Sequence, residues 1–174
     1  GPRDIDEVAG VFKAYTTRVG NGPLPSEFTN EDDLLCKFIR DTGREYGVTT
    51  GRPRRCGYLD IVALKHAVKA NSIDYLIMTH LDVYDTLSSF RVCTRYDING
   101  TETDVFPSSI EELEVAKPLF SAPIKGWKTS TKEIKNFSDL PFEAQCYVDM
   151  IENFVKVPIK IISVGYDRLE TIVR

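Results

Sequence analysis

Histidine and cysteine are scarce in this chain, which excludes several kinds of catalytic site. The 174 residues contain two histidines, His66 and His80, and four cysteines, with no C-x-x-C pair. A structural zinc site needs paired ligands at short spacing, and a Ser-His-Asp or Cys-His site needs a histidine in the context of a nucleophile. The sequence offers neither pattern. It therefore predicts reduced cysteines packed as small apolar groups, and no nucleophilic catalysis by a side chain.

Long apolar runs and an excess of positive charge are also lacking. No apolar run approaches the roughly 20 residues that cross a bilayer, and the N-terminus has no apolar segment typical of a signal peptide. Twenty-two Lys and Arg against 26 Asp and Glu give a net charge of -4. Nucleic-acid coats and membrane-surface binders need an excess of positive charge to attract phosphates. We therefore expect a soluble cytoplasmic protein that binds neither nucleic acid nor membrane.

The apolar pattern alternates between helical and strand spacing, which predicts one α/β domain. Helical spacing occurs around residues 5–12, 31–39, 60–70 and 142–154, with Asn30 as the cap of the second of these helices. Strand patterns cover residues 75–78, 90–96, 157–162 and 168–173. Asn99-Gly100 is the strongest signal for a two-residue hairpin in the chain.

The most informative loop carries three arginines within four residues, at positions 52, 54 and 55. Gly47 and Gly51 allow close backbone approach, and Thr49 and Thr50 offer hydroxyl groups. Arginine side chains offer forked donors that pair with carboxylate or phosphate. In a chain of net charge -4, this local concentration favours an anion-binding site. The alternative is a solvated surface loop, which would usually mix lysine and glutamate among the arginines.

Two further loops follow predicted strands, where the ligands of open α/β sheets gather. Asp82 comes just after the strand at 75–78. A carboxylate accepts two parallel hydrogen bonds, which suits the N1–H and N2–H₂ edge of guanine. The segment 163–168 follows a later strand and combines small residues with charged ones. Taken alone, an aspartate in this place is more often a helix cap or turn former, and the second loop indicates only a turn.

Four motifs together carry a resemblance to a known family. They are KAYTTRVG at 13–20 with Gly22-Pro23, VTTGRPRRCG at 48–57, Leu81-Asp82-Val83, and SVGYDR at 163–168. In order and spacing they resemble the adenylosuccinate synthetase family, and the similarity spans nearly all 174 residues. The first two motifs are long and specific, and the other two gain specificity from their register with them. The resemblance implies the C-terminal part of that family's P-loop-like α/β fold, in which a mixed sheet is flanked by helices, with a hairpin near Asn99-Gly100.

The family joins IMP to L-aspartate using GTP and Mg²⁺, in the AMP branch of purine synthesis. It first phosphorylates the purine O6, and the aspartate amine then displaces phosphate. The resemblance implies that the aspartate carboxylates bind to Val48, Thr49, Thr50, Gly51, Arg52, Pro53 and Arg54. It implies IMP contacts from Val19, Gly20 and Arg52. It implies GTP contacts from Arg54, His80, Leu81, Asp82, Ser163, Val164 and Gly165, and a cytoplasmic homodimer as the assembly.

The sequence also departs from the family. The phosphate-cradling glycine loop is missing, since no G-x-x-x-x-G-K-[ST] or related motif occurs. The catalytic aspartate and the histidine that assists phosphoryl transfer, both in the family's N-terminal half, are missing with it. The chain therefore resembles the C-terminal half of the enzyme. We expect no catalytic residue and no metal ligand in it, Mg²⁺ ligands in the other half, and no activity of this piece alone. His80 stands where the family commonly has a lysine that packs on guanine, and Tyr58 replaces the usual tryptophan.

Two functions of other classes remain open at this point. A stand-alone nucleotide-binding or regulatory module without catalysis would use the same loops. An RNA-binding domain would use the three arginines of the loop with aromatic residues such as Tyr46 and Tyr58. The net charge of -4 and the absence of a basic stripe in the sequence count against RNA.

Overall fold

The computed structural model describes residues 4–174, and their contacts fall into two compact units. Unit 1 consists of residues 4–14, Ala63–Phe90 and Ile124–Arg174, and unit 2 consists of Tyr15–Val62 and Arg91–Pro123. Each unit is therefore assembled from segments that are far apart in the sequence. The α/β class, with mixed sheets flanked by helices, is confirmed. The assignment of the whole chain to a single domain stays a prediction.

Strands and helices are interspersed along the described chain. The strands are β1 (Ala9–Lys13), β2 (Thr16–Arg18), β3 (Arg55–Gly57), β4 (Leu59–Asp60), β5 (Tyr75–Thr79), β6 (Ser89–Phe90), β7 (Val92–Ile98), β8 (Thr101–Thr103), β9 (Lys117–Phe120), β10 (Ile124–Lys125), β11 (Ile159–Ser163) and β12 (Thr171–Val173). The α-helices are α1 (Asp33–Thr42), α2 (Ile61–Ala70), α3 (Ile110–Val115) and α4 (Phe142–Val155), and short 3₁₀ turns cover Asn30–Asp32, Leu81–Tyr84 and Phe137–Asp139. None of the helices within residues 4–174 has the length and apolar character that a membrane span needs.

Unit 1 is built on a four-stranded sheet in the order β1-β5-β11-β12. The strands β1, β5 and β11 run parallel, and β12 returns antiparallel beside β11. Leu76 and Met78 of β5 are fully buried, as expected of an apolar strand with neighbours on both sides. Because the parallel strands end at one edge, the loops that follow β5 and β11 lie at the same edge of this sheet.

The helix predicted over residues 5–12 is wrong, because Ala9–Lys13 forms strand β1. β1 pairs in parallel with β5 over its whole length. A Cβ at Gly10 would lie 2.6 Å from Cδ1 of Ile73, so a larger residue there would force the Ile73 side chain to shift. A few apolar residues at helical spacing do not decide the structure of a short segment when a neighbouring strand supplies its hydrogen bonds.

The start of α1 also differs from the prediction. The N–H and the hydroxyl of Thr29 both donate to the carboxylate of Asp32, at 3.0 and 3.1 Å, and this contact opens the 3₁₀ turn before α1. Asn30 lies inside that turn, so its prediction as the helix cap is wrong. The apolar spacing predicted around residues 31–39 does not bury all of its members, because Ile39 is buried whereas Leu34 is 88% exposed.

Unit 2 contains the predicted hairpin. β7 and β8 are antiparallel, and Asn99-Gly100 joins them with φ angles of 53° and 85°, the positive values that a tight two-residue turn requires. β7 also pairs with β9 and, in parallel, with β4. A separate antiparallel ribbon of β2 and β3 places Arg18 directly opposite Arg55. The predicted contacts at residues 19 and 20 directly follow β2, and those at residues 48–54 directly precede β3.

Candidate functional site

The arginine loop, residues 47–54, is a tight turn closed by its own backbone. The N–H of Gly47 donates to the carbonyl of Arg52, and the N–H of Gly51 donates to the carbonyl of Gly47, both at 2.8 Å. Gly51 has a φ of 63°, in the left-handed region that glycine adopts at low cost. The turn therefore presents residues 48–50 to solvent at its tip.

The arginine loop and the loop after β2 line one cavity of 550 Å³ in unit 2. Val19 and Gly20, the predicted IMP contacts, come from the loop after β2. The arginine loop contributes the predicted aspartate contacts Thr50, Arg52, Pro53 and Arg54. Val48, Thr49 and Gly51 lie outside the lining of this cavity. The fold thus brings all three predicted IMP contacts, Val19, Gly20 and Arg52, and part of the predicted aspartate loop to one place, while their roles stay predictions.

Arg52 and Arg54 of the arginine loop and Arg55, the first residue of β3, differ in what they contact. Within residues 4–174 the guanidinium of Arg52 has no hydrogen-bond or ion-pair partner, and the residue is exposed. Arg54 donates through Nη1 to the carboxylate of Glu45 at 2.9 Å. Arg55 donates through Nε and Nη2 to the two carboxylate oxygens of Glu27, at 2.8 and 2.5 Å. Arg52 is therefore the arginine whose whole fork remains available to an external anion.

Glu45 is a buried carboxylate that the sequence pattern does not single out. Its side chain is 0% exposed, and it accepts hydrogen bonds from the Tyr15 hydroxyl at 2.6 Å and from Arg54. A buried carboxylate without partners is costly, so these contacts are required for its burial. Glu45 therefore holds one nitrogen of Arg54 and sets the direction of that guanidinium. Glu45 and Arg54 are nine positions apart in the sequence, a spacing that follows no local pattern, and only the fold reveals the pair.

The segments predicted to bind guanine meet at one edge of the sheet in unit 1. Leu81 and Asp82 lie in the 3₁₀ turn that follows β5, and this turn contacts β11. Ser163 ends β11, and Val164 and Gly165 follow it directly. Leu81 and Val164 are fully buried, so each anchors its loop at this edge. The adjacency that the strand order predicts for these two loops is therefore present.

Asp82 is a half-buried carboxylate with charged groups on several sides. Burial and, next, the neighbouring carboxylate of Asp85 raise the pKa of Asp82, Lys132 opposes this shift, and Glu170 adds to it. His80, just before this turn, has a left-handed φ of 61°, which is uncommon for a residue with a side chain. A strained residue beside a carboxylate with a perturbed pKa is typical of a binding site.

Asp85 fixes the other side of the same 3₁₀ turn, and the sequence pattern does not identify it. Its carboxylate accepts a hydrogen bond from Trp127 Nε1 at 2.8 Å and from the N–H and hydroxyl of Thr131 at 2.8 and 2.9 Å. Asp85 is 8% exposed, and burial raises the pKa of its carboxyl. The segment that carries Lys132 is thereby attached beside Asp82.

The loop after β11 is held by an acid of its own. Val164 donates its N–H to the carbonyl of Glu170 at 2.9 Å, and Asp167 donates its N–H to the Glu170 carboxylate at 3.0 Å. The Ser163 hydroxyl donates to the carbonyl of Gly165 at 2.6 Å. A Cβ at Gly165 would collide with the Glu170 carboxylate, so a larger residue there would have to displace the Glu170 side chain. The backbone at 163–165 is therefore held by contacts within the chain.

The remaining predicted site features are distributed as follows. Arg54, which is also a predicted GTP contact, belongs to unit 2, whereas the other predicted GTP contacts belong to unit 1. Nowhere in the part of the chain that the structure describes do three or more His, Cys, Asp or Glu side chains come together as metal ligands.

Comparisons with known proteins point to one family. The sequence model of the family described as adenylosuccinate synthetase matches residues 1–172. Two similar relatives carry the name adenylosuccinate synthetase. One, from Caldanaerobacter subterraneus subsp. tengcongensis, is 47% identical over 173 residues, which are 99% of this chain and 40% of the relative. The other, from Aquifex aeolicus, is 50% identical over 163 residues, which are 94% of this chain and 37% of the relative.

A solved structure gives the same result at the level of the fold. It is the fully ligated adenylosuccinate synthetase from Plasmodium falciparum, which matches with a TM-score of 0.91 and 36% sequence identity. The match covers 99% of this chain and 41% of that chain. This chain thus spans about 40% of the length of the relatives that it matches. With nearly every residue inside both the sequence match and the structural match, the chain belongs to the adenylosuccinate synthetase family.

Proposed function

We propose that this chain is the C-terminal portion of an enzyme that joins IMP to L-aspartate, using GTP, to form adenylosuccinate in AMP synthesis. The observation that carries this proposal is the guanidinium of Arg52, which has no partner within residues 4–174, at a cavity that Val19, Gly20 and Thr50 also line. A forked cation without an internal partner, beside a hydroxyl, suits a small dicarboxylate. Family membership supplies the reaction in which such a dicarboxylate is a substrate.

In this proposal the residues of unit 2 bind and orient two substrates. Arg52 pairs with an aspartate carboxylate through two parallel hydrogen bonds, and the hydroxyls of Thr49 and Thr50 add donors for the same ligand. Val19 and Gly20 lie against IMP, with Arg52 between the two substrates. Holding the aspartate amine close to the purine C6 turns a bimolecular displacement into an effectively unimolecular step.

The residues of unit 1 bind the base of GTP in the same proposal. Asp82 accepts the N1–H and N2–H₂ groups of guanine, and the ordered backbone of Ser163, Val164 and Gly165 closes over the base together with His80 and Leu81. Arg54 of unit 2, oriented by Glu45, offers a phosphate group the nitrogens that Glu45 leaves available. The carboxylate that faces guanine is also what disfavours adenine, whose N1 is an acceptor.

The remaining parts of the proposal lie outside this chain. The described residues hold no metal-ligand cluster, so we assign the Mg²⁺ that accompanies GTP to ligands in the rest of the enzyme. When bound, Mg²⁺ neutralises charge on the transferred phosphoryl group. The phosphate-cradling loop and the groups that activate the purine O6 belong to that part as well. The working assembly in this proposal is a cytoplasmic homodimer that uses no nucleic acid and no membrane.

A reconstitution assay tests the function. The full-length protein that carries this chain is incubated with IMP, L-aspartate, GTP and Mg²⁺, and adenylosuccinate is detected by chromatography. The expected result is product formation that requires every substrate and is lost with Arg52→Ala. If the full-length protein binds GTP but forms no product, this result would contradict the proposal and favour a nucleotide-binding module. The matched control is Arg95→Ala, which removes an exposed arginine of unit 2 whose partner is Glu102.

A further inference from the structure

We propose that Arg18 and Arg55 are positioning residues for IMP, because their guanidinium groups, together with Glu27, hold the turn at residues 20–23. We call these three residues the carbonyl clamp and residues 20–23 the glycine turn. The inference rests on the proposed function and adds to it the residues that set the IMP contacts. Neither arginine is needed to touch the substrate for this role.

The two guanidinium groups share the four successive carbonyls of the glycine turn. Arg55 donates through Nη1 to the carbonyls of Gly20 at 3.2 Å and Gly22 at 2.7 Å. Arg18 donates through Nη2 to the carbonyl of Asn21 and through Nη1 to that of Pro23, both at 3.3 Å. Every carbonyl of the turn therefore accepts a hydrogen bond from one of two side chains on the neighbouring strands.

The backbone of the glycine turn is shaped for this arrangement. Gly20 and Gly22 have φ angles of 81° and 115°, which side-chain-bearing residues rarely adopt. A Cβ at Gly22 would lie 2.6 Å from Nη2 of Arg18. Glycine at this position therefore permits both the left-handed backbone and the close approach of the guanidinium.

The two arginines of the carbonyl clamp repel each other, and a turn with only a structural role would not need this energetic cost. Arg18 and Arg55 stand directly opposite each other on β2 and β3, and like charges in cross-strand pairs are destabilising. Glu27 compensates one of them through a two-bond pair with Arg55, and this pairing raises the pKa of Arg55. The carbonyl dipoles of the glycine turn compensate the remaining positive charge. Two adjacent cations are thus maintained at the wall of the substrate cavity, which both arginines line.

The carbonyl clamp acts on one side of the cavity. Val19 and Gly20 sit at the start of the glycine turn, and Val19 is 79% exposed, so its position depends on how the turn is held. The arginine loop is closed independently, by the bridge between Tyr46 and Pro53 and by the turn's own hydrogen bonds. Loosening the clamp should therefore displace the IMP contacts Val19 and Gly20 while leaving the contacts of the arginine loop in place.

Steady-state kinetics of the full-length protein test this. Arg55→Lys keeps the charge but cannot bond to both carboxylate oxygens and two carbonyls at once. Glu27→Gln keeps the shape of its side chain but removes the charge that fixes Arg55. For each variant the IMP KM is expected to rise about tenfold, as a preorganised loop becomes mobile, while the aspartate and GTP KM values stay within about twofold. The double variant should be no worse than the worse single variant, because both remove the same contact.

The controls separate this inference from the proposed function. Arg95→Lys and Glu102→Gln make the same two changes in an exposed ion pair of unit 2 and should leave all three KM values unchanged. Gly22→Ala provides a second route to the same IMP-specific loss if Arg55→Lys fails to fold. An unchanged IMP KM, an equal rise in all three KM values, or a loss of kcat alone would overturn the carbonyl clamp. An inactive wild-type protein would instead contradict the proposed function itself.

Discussion

Arg52 differs from the two arginines that follow it in the loop by the contacts it lacks. Arg54 and Arg55 are held by Glu45 and Glu27, so part of their charge is already used inside the described chain. A substitution at either of them disturbs an internal ion pair as well as any ligand. A substitution at Arg52 instead removes only what this arginine offers to a ligand. The residue therefore gives the cleanest test of the aspartate site.

Arg52→Leu in the full-length protein should raise the aspartate KM strongly. A carboxylate that loses its two-bond partner in a partly desolvated site loses about 1–3 kcal/mol of binding free energy. Arg52→Lys should restore only part of the affinity, because an ammonium group cannot reproduce the fork. The measurement is the aspartate KM at saturating IMP and GTP, with Arg95→Leu as the control. Values of KM and kcat within about twofold of wild type for Arg52→Leu would mean that aspartate binds elsewhere.

Asp82→Asn should shift the nucleotide preference from GTP towards XTP. The change replaces one acceptor by a donor, so guanine loses a charge-assisted bond and faces a donor with its own N–H groups, at a cost of roughly 2–4 kcal/mol. Xanthine carries an oxygen where guanine carries its amino group, and this oxygen accepts from the new amide. Kinetics with both nucleotides measure the shift, and Asp139→Asn, at an exposed aspartate of unit 1, is the control. An unchanged ratio of the activity with GTP to the activity with XTP would mean that Asp82 is only a turn residue.

The same substitution should change how stability depends on pH. Burial and Asp85 raise the pKa of Asp82 above its ordinary value of 3.8. The contribution of Asp82 to folding is therefore fully present below about pH 3.8 and is lost as pH rises through the raised pKa. Asp82→Asn does not undergo this loss, so its unfolding free energy relative to wild type should increase from acid to neutral pH. Denaturant unfolding at several pH values gives the difference, and a difference independent of pH would show that Asp82 is not perturbed.

At the scale of elements, the contacts that order the site connect segments distant in sequence. The 3₁₀ turn after β5 is joined to the segment around Trp127 through Asp85, across 42 to 46 residues of chain. Short elements such as this turn have little stability alone, since they contain few hydrogen bonds of their own. Their position comes from buried side chains that satisfy several partners at once.

Asp85→Ala should destabilise unit 1 because it leaves three donors without their acceptor. These are the indole N–H of Trp127 and the N–H and hydroxyl of Thr131. An unsatisfied buried donor costs about 1–3 kcal/mol, so a loss of about 3 kcal/mol or more in unfolding free energy is expected. Denaturant unfolding followed by the emission of Trp127, the single tryptophan, measures it. Asp139→Ala, which removes an exposed acceptor, should change stability by less than about 0.5 kcal/mol, and equal effects of the two variants would refute the role of Asp85.

At the scale of the whole molecule, the chain matches its relatives over almost its entire length but covers about 40% of theirs. In the proposed function, the cavity in unit 2 and the sheet edge in unit 1 that carries Asp82 bind and orient substrates. Neither contains a phosphate-cradling glycine loop or a metal-ligand cluster within the described residues. Phosphoryl transfer depends on positioning and on charge stabilisation around the phosphates. We therefore expect the proposed reaction to require groups beyond those that this chain supplies.

The isolated 174-residue chain should accordingly form no adenylosuccinate from IMP, L-aspartate and GTP. The measurement compares product formation by the chain, by the full-length protein and by a sample without protein. Turnover by the chain above the sample without protein, abolished by Arg52→Ala, would contradict this expectation. It would also show that this chain contains the groups for phosphoryl transfer.

The sequence by itself determined the features that depend on local chemistry. Three such predictions depend on only a few neighbouring residues, and the structure confirms them. They are the strand β5 from its apolar run, the hairpin turn at Asn99-Gly100, and the helix α2 from its helical spacing. The motifs with arginine, threonine and glycine also identify the family, because their order and spacing are a property of the chain alone. That Asp82 and the loop at 163–168 lie at one edge of the sheet follows instead from the strand order, which only the structure shows.

Only the tertiary structure decided which of these residues remain free to bind a ligand. Three neighbouring arginines look alike in the sequence, yet two are paired with acids that lie nine and 28 residues away. The strand β1 likewise depends on β5, whose hydrogen bonds outweigh a weak helical pattern in the segment. Hydrogen bonds and ion pairs between distant segments leave no local periodicity, because the spacing between partners is set by the path of the chain through the fold. A buried carboxylate such as Glu45 is therefore visible only once its partners have been brought to it.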